Sequence, residues 1–215
     1  MALKAVVTGH LGFVGRYLSL ALNGLGYEVI GLDLKNGQDI DICYLPDADK
    51  VFHLAAQTDA QFTQAHWDAK TNIMASLRIF EYYRDRVVFA SSSMVNYPVT
   101  PYAISKRAAE DYARYFGCAV VRFCNLYGEN GHSVIDKFRE QDTLTIFGSG
   151  EQMRTYAPVE KAVHAMITVP PGQNVVLHGD DYTVNEIADM FPGKPIDHVK
   201  AGKLDIMDGR QRLGQ

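Results

Sequence analysis

Short runs of β-branched and aliphatic residues alternate with helix-spaced apolar positions over the first 125 residues of this chain. Ala5-Val6-Val7 reads as a strand. From Phe13 to Asn23, Val14, Leu18 and Leu22 recur on one helical face, and Gly24-Leu25-Gly26 stops the helix. Glu28 to Asp33 and Val51 to Ala55 read as strands, His66 to Tyr83 as a long helix, and Val87 to Ala90 as another strand. Thr100 can cap, and Pro101 can open, a helix from Tyr102 to Phe116. Ala119 to Phe123 follows as a strand. Strand, helix, strand in succession predicts an α/β fold, a doubly wound parallel sheet of Rossmann type with helices on both faces.

After Leu126 the pattern loosens around Gly128, Gly131, Gly148 and Gly150. Glu160 to Ile167 reads as a helix and Val175 to Leu177 as a late strand. Thr183-Val-Asn-Glu186 is a capping box that opens a helix running to about Met190. The expected organisation is a Rossmann domain over 1–125, rejoined by the strand near 175–178. A small, partly interleaved substrate lobe occupies 126–215.

Composition narrows the function. The 215 residues are 47% hydrophobic and 21% charged, the profile of a globular chain able to bury a core. A net charge of −4 argues against nucleic acid as a partner. No apolar run reaches the roughly 18 residues of a membrane span. The first strand leads into a glycine motif rather than a signal cleavage site. Cys43, Cys118 and Cys124 are too few for a disulfide scaffold, so a cytoplasmic setting is expected, with no membrane partner. The histidines lack ligand spacing, and no metal is expected.

The candidate chemistry begins at Thr8-Gly9-His10-Leu11-Gly12-Phe13-Val14-Gly15, between the first strand and the first helix. Glycines there let the backbone approach a pyrophosphate resting on the helix N-terminus. The plainer alternative is a strand-to-helix turn with one packing glycine. Asp33, at the end of the next strand, favours the former, because a carboxylate there accepts hydrogen bonds from a ribose and repels a 2′-phosphate. NAD is therefore expected rather than NADP.

Tyr102-Ala-Ile-Ser-Lys106 places a phenol and an ammonium on one helix face. A nearby ammonium, helped by an oxidised nicotinamide, would favour the phenolate and fit it for proton exchange near neutral pH. The preceding strand ends in Ser91-Ser92-Ser93, where a hydroxyl can donate to a substrate oxygen. Strand register favours Ser92 as that hydroxyl, and counting back from Tyr97 favours Ser93.

Together these motifs resemble the extended short-chain dehydrogenase/reductases that act on nucleotide sugars. His53-Leu54-Ala55-Ala56-Gln57 is similar to a cofactor-lining segment of that family, and Asn72 to a helix asparagine at the cofactor site. Arg122-Phe-Cys124-Asn125-Leu-Tyr-Gly128 and Ile146-Phe-Gly-Ser-Gly-Glu-Gln-Met-Arg154 resemble two further family segments. The resemblance implies Gly9, Gly12, Phe13, Val14, Gly15, Asp33, Asp39, Ile40, Leu54, Ala55, Ala56, Asn72, Ser91, Tyr102, Lys106 and Cys124 at the cofactor. It implies Ser92, Tyr102 and Lys106 as catalytic residues, and Ser93, Asn125 and Arg154 at the substrate. Arg154 could instead pair with Glu151, and Asn125 could cap a turn. The tail Leu213-Gly214 is similar to the family's closing segment.

The departures are deletions. Only six positions separate Asp33 from Asp39-Ile40, too few for a parallel crossover. Part of the third strand and its helix is expected to be missing. The loop from Met94 to Pro101 is also cut short, as is the substrate lobe. Ser93, Met94 and Val95 stand where dehydratase and decarboxylase branches carry acids and where a 3,5-epimerase/reductase branch carries a cysteine. The resemblance thus implies an NAD-dependent 4-epimerase working on a nucleotide-sugar substrate through a transient 4-keto sugar. A nucleotide-sugar or small-carbonyl oxidoreductase of the same superfamily and a non-catalytic NAD-binding regulator are the alternatives. A homodimer through helices 66–83 and 102–116 is expected.

Overall fold

The structure is a computed structural model that describes residues 2–58 and 65–200. Its centre is a six-stranded sheet. The strands are β1 (Lys4–Thr8), β2 (Glu28–Leu32), β3 (Lys50–His53), β4 (Val87–Ser92), β5 (Ala119–Phe123) and, beyond β6 to β8 below, β9 (Asn174–Val176). Their order is β2-β1-β3-β4-β5-β9, and every pair is parallel. A parallel sheet needs helices to carry the chain back, and these cover both faces. Alternate residues of β1 therefore enter two cores: Val6 packs with Phe80, Phe89 and Val120, and Ala5 and Val7 pack with Leu18, Phe52 and Met166.

Helix α1 (Phe13–Gly24) buries Leu18 and Leu22 as their spacing predicts. The segment 65–83 is helical throughout in three windings: α2 (Ala65–Asp68), a π-helical stretch Ala69–Ala75, and α3 (Ser76–Tyr83). Helix α4 (Pro101–Tyr115) starts at Thr100, whose side chain accepts from the Ala103 amide at 3.1 Å.

The shortened connection between β2 and β3 contains no strand and no α-helix, only one 3-10 turn at Leu34–Asn36. Its backbone is held from outside. Arg78 donates to the carbonyls of Ile40 (2.7 Å) and Cys43 (2.6 Å), Tyr83 to Pro46 (2.6 Å), and Arg86 to Ala48 (2.7 Å).

Past β5 the chain is richer in structure than its glycines suggested. β6 (Asn125–Tyr127), β8 (Met153–Pro158) and β10 (Asp180–Thr183) form a sheet in the order β10-β8-β6. β7 (Leu144–Phe147) pairs in parallel with β11 (Ile196–Val199). Helices α5 (Val134–Glu140), α6 (Val159–Thr168) and α7 (Val184–Asp189) are the remaining α-helices among the described residues. The capping box Thr183–Glu186 is present at α7, and a second, Ser133–Asp136, opens α5. Leu213 and Gly214 lie outside the described residues.

Candidate active site

The ends of the parallel strands open into a cleft of about 920 Å³. One wall is the β1–α1 loop. Gly9 holds a positive φ of 72°, and a Cβ there would stand 2.9 Å from the Ala55 amide nitrogen. A Cβ on Gly15 would stand 2.2 Å from the Gly9 carbonyl oxygen, so the helix can approach its own entry loop only with glycine in place. Gly12 caps α1 without any side-chain hydrogen bond, and no acid sits in the first turn. The first amides of a helix lack intrahelical acceptors and attract anions. With Phe13 and Val14 also in this wall, the site fits the diphosphate of a dinucleotide.

Asp33 lies 22 residues beyond Leu11 and ties β2 to that loop. One carboxylate oxygen accepts from the Leu11 amide at 3.0 Å and the other from Lys35 at 2.9 Å. Asp33, Asp39 and Ile40 line the same cleft end, and Leu54, Ala55 and Ala56 line it from β3. A fixed carboxylate and an apolar wall beside a phosphate cradle suit the ribose and base of NAD. The Leu54 and Ala55 amides both donate to Thr8 Oγ1, at 3.1 Å each. Having accepted twice, that hydroxyl gives its proton to His53 Nδ1 (2.7 Å), which leaves Nε2 to donate to Ser76 Oγ at 2.8 Å. His53 is fully buried, stacks on Phe89, and its imidazole is pushed down to about 3 by burial and by the Lys106 charge. It is a neutral strut beneath the cleft.

Ser91, Tyr102 and Lys106 line the other end. Three adjacent serines are separated by their partners. Ser91 donates to Glu110 at 2.6 Å. Ser92 caps the 3-10 turn Ser93–Asn96, accepts from the Met94 amide at 3.2 Å, and is hydrogen-bonded to the Tyr102 phenol. Ser93 is buried within the turn. Ser92, rather than Ser93, is the hydroxyl that pulls the Tyr102 phenol down.

Lys106 donates to the Ala90 carbonyl at 2.6 Å and lies 4.2 Å above the Phe89 ring. Its burial lowers it to about 7, against the opposing pull of Glu110. Tyr102 stands above the ordinary phenol range, chiefly through burial and further through the Asp68 charge, while the Ser92 hydrogen bond pulls it down. Behind both residues Glu110 is wholly buried, and it accepts from Arg122 through Nε at 3.0 and 3.1 Å and Nη2 at 2.6 Å, and from Arg114. These guanidinium and Ser91 bonds hold its carboxyl below the usual range despite its burial.

The remaining expected residues lie outside this cleft's walls. Asn72 spends its amide on Gln57, donating to the carbonyl (3.0 Å) and accepting from the amide (2.8 Å), and on Ser105 Oγ (2.9 Å). It therefore supports the wall from behind. Burial raises the Cys124 thiol to about 11. Asn125 donates to the Thr155 carbonyl at 2.9 Å, which brings it beside Arg154 on β8. Glu151 accepts from Asn185 at 2.6 Å. Sequence reasoning missed Trp67, Lys70, Thr71 and His132, which also line the cleft. The first three follow a helical spacing that reads as ordinary amphipathicity, and His132 sits in an irregular loop. Asp68, a lone acid within a helix, gave no signal at all.

The sequence model of the NAD dependent epimerase/dehydratase family matches residues 5–184. The UDP-glucose 4-epimerase of Mycolicibacterium smegmatis is 26% identical over 226 positions, covering 77% of this chain and 72% of that protein. The structure of MoeE5 in complex with UDP-glucose and NAD is 25% identical, with a TM-score of 0.80 over 95% of this chain and 87% of that one. The NAD-dependent NDP-hexosamine 5,6-dehydratase TunA shares the fold at 20% identity, with a TM-score of 0.84 over 99% of this chain and 91% of that one.

Proposed function

The chain belongs to the NAD-dependent epimerase/dehydratase family of the short-chain dehydrogenase/reductase superfamily, and from that premise we propose that it is a nucleotide-sugar epimerase acting at C4. The observation that supports this reading is the pair Tyr102 and Lys106, one helical turn apart on α4 and both lining the end of the glycine-walled cleft. No acid or cysteine stands at 93–95 to divert the reaction toward elimination or 3,5-epimerisation.

Each protein group has a definable task. Gly9, Gly12, Gly15 and the start of α1 bind the cofactor diphosphate, and Asp33 the adenosine ribose. NAD supplies, when bound, the hydride acceptor and a positive charge beside the phenol. Tyr102 Oη takes the proton of the sugar 4-hydroxyl, and Ser92 Oγ donates to the same oxygen. Lys106 holds positive charge on the phenol's helix face. Tyr102 returns the proton after the transient 4-keto sugar has presented its other face. Asn125 and Arg154, adjacent on the β10-β8-β6 sheet, together with Ser93, are the proposed substrate contacts. A planar guanidinium suits a diphosphate. The apolar residues Met74, Ile104, Tyr112 and Tyr115 are exposed on the π-helical stretch and α4, which supports a homodimer through these helices.

The test is NMR of the protein with NAD and a panel of UDP-, GDP- and dTDP-hexoses, alongside Tyr102→Phe. A new anomeric signal, formed without net NADH and lost in the variant, is expected. Stoichiometric NADH or a dehydrated product would reassign the chain to another branch. Binding of NAD with no turnover of any sugar would favour the regulator.

A further inference from the structure

The cleft leaves apolar surface open at one end. Among the described residues that line it, Leu34 and Trp67 are the large hydrophobic side chains left exposed, at 73% and 53%. Leu34 follows Asp33, the carboxylate proposed for the adenosine ribose. Trp67 belongs to α2 and is brought to the same end by a chain of contacts. Lys70 Nζ lies 5.8 Å over the indole centroid and pairs with Asp41 at 3.7 Å. The Asp41 amide in turn donates to Asp39 Oδ1 at 3.0 Å, and Asp39 and Ile40 line the cleft beside it.

We infer, resting on the placement of the adenosine ribose at Asp33, that Trp67 is the platform on which the adenine ring of the bound dinucleotide stacks. Singly exposed apolar residues are common on any protein surface. This one differs because it lines a cofactor cleft, and because α2 gives it no core to enter: the four residues of α2 bury Asp68 alone. The connection from β2 to β3 brings only a 3-10 turn to this end, so apolar cover for a base has to come from across the cleft. An indole supplies it in one side chain with little rotamer freedom to lose.

Lys70 steadies the platform. Its ammonium attracts the indole on one side and the Asp41 carboxylate on the other, which ties the helix to the trimmed connection. Both contacts are exposed and individually weak, so the ring can settle against a base without breaking a strong bond. Polar groups of the opposite wall are already engaged. Asp33 accepts from the Leu11 and Lys35 amides, and the Ile40 carbonyl accepts from Arg78. Stacking asks nothing of those groups, since every purine carries a flat face.

Trp67 is the single tryptophan of the chain, so its emission reports this site without assignment. The experiment titrates the purified full chain, freed of any retained cofactor, with NAD, AMP and NMN while indole fluorescence is followed. Calorimetry then measures NAD and AMP binding to Trp67→Ala and Trp67→Phe. Saturable quenching by NAD and AMP but not by NMN is expected. Trp67→Ala should bind NAD and AMP about tenfold more weakly, and Trp67→Phe should keep most of the affinity. A folded Trp67→Ala that binds NAD as tightly as the parent overturns the inference. Quenching by NMN without AMP also overturns it, because the indole would then serve the nicotinamide end. Should the alanine variant fail to fold, the parent decides: emission that stays fixed while calorimetry records saturation with NAD overturns the platform. Asp33→Ala separates the underlying reading. If it leaves NAD affinity unchanged while Trp67→Ala weakens it, the platform stands and the ribose placement falls; a parent that binds no NAD overturns both.

Discussion

Two trimmed connections in this molecule are secured in opposite ways. Between β2 and β3 the chain has lost its regular structure, and its carbonyls are met by side chains from the helix beside it, Arg78, Tyr83 and Arg86. Between β4 and α4 only a 3-10 turn and a short link remain, yet the elements on either side are regular. They are braced by an anion, Glu110, buried among Arg122, Arg114 and Ser91. Backbone carbonyls can be satisfied one at a time by long flexible donors, and each such bond is modest. A buried carboxylate is different, because it is stable only with its whole set of partners. The β2–β3 side of the cleft therefore tolerates piecemeal loss, and the β4–α4 side does not.

Four substitutions sharpen that contrast. Tyr102→Phe removes the proposed proton carrier and should cost at least about 10²-fold in turnover. Its NAD affinity, measured by calorimetry, should stay near the parent's. Glu110→Ala deprives the half-buried Arg122 of its carboxylate, while the more exposed Arg114 keeps Asp111. It should cost about 3–5 kcal/mol in chemical denaturation.

His53 gives the catalytic side an acid-sensitive step. Its folded value, about 3, lies below the unfolded 6.5, so the unfolded chain binds the extra proton between those limits. Stability should fall as pH drops through that window, by about 1.4 kcal/mol per pH unit from this group. His53→Gln should flatten that part of the profile in urea melts recorded across it. Arg78→Ala should give the smallest effect, about 1–3 kcal/mol for two lost carbonyl bonds. It should weaken NAD binding and leave kcat unchanged. A fall in kcat equal to the loss in binding would show that the two ends are not independent.

The legible parts of the chain were those where one local rule decides. β1 to β5 are apolar on both faces and announce a covered sheet, and Thr100-Pro101 fixes the start of α4 within a residue. The glycine loop and the phenol–ammonium spacing located both ends of the cleft. The missing crossover after Asp33 was legible by length alone. What was not legible depends on distant partners. β6 and β10 are short strands without a buried residue, and with the buried β8 between them they are defined by each other rather than by their own periodicity. Three adjacent serines look equivalent in sequence, and only Glu110 and Tyr102 tell Ser91 and Ser92 apart. The effect of burial on the Tyr102 phenol is likewise a property of the whole fold that spacing does not reveal.

The π-helical winding at Ala69–Ala75 can also be read as a phase adjuster. An α-helix advances about 100° per residue, so one residue added or removed ordinarily swings everything beyond it onto the wrong face. A π turn absorbs that residue locally. Trp67 just before it and Lys70 in its first turn line the cleft, and downstream Ile79, Phe80 and Tyr83 are buried in the core. The two faces are thereby decoupled. The cleft side of this helix can be re-timed by a single-residue insertion or deletion while the core side keeps its register, a route by which a chain this pared down could still explore new substrates.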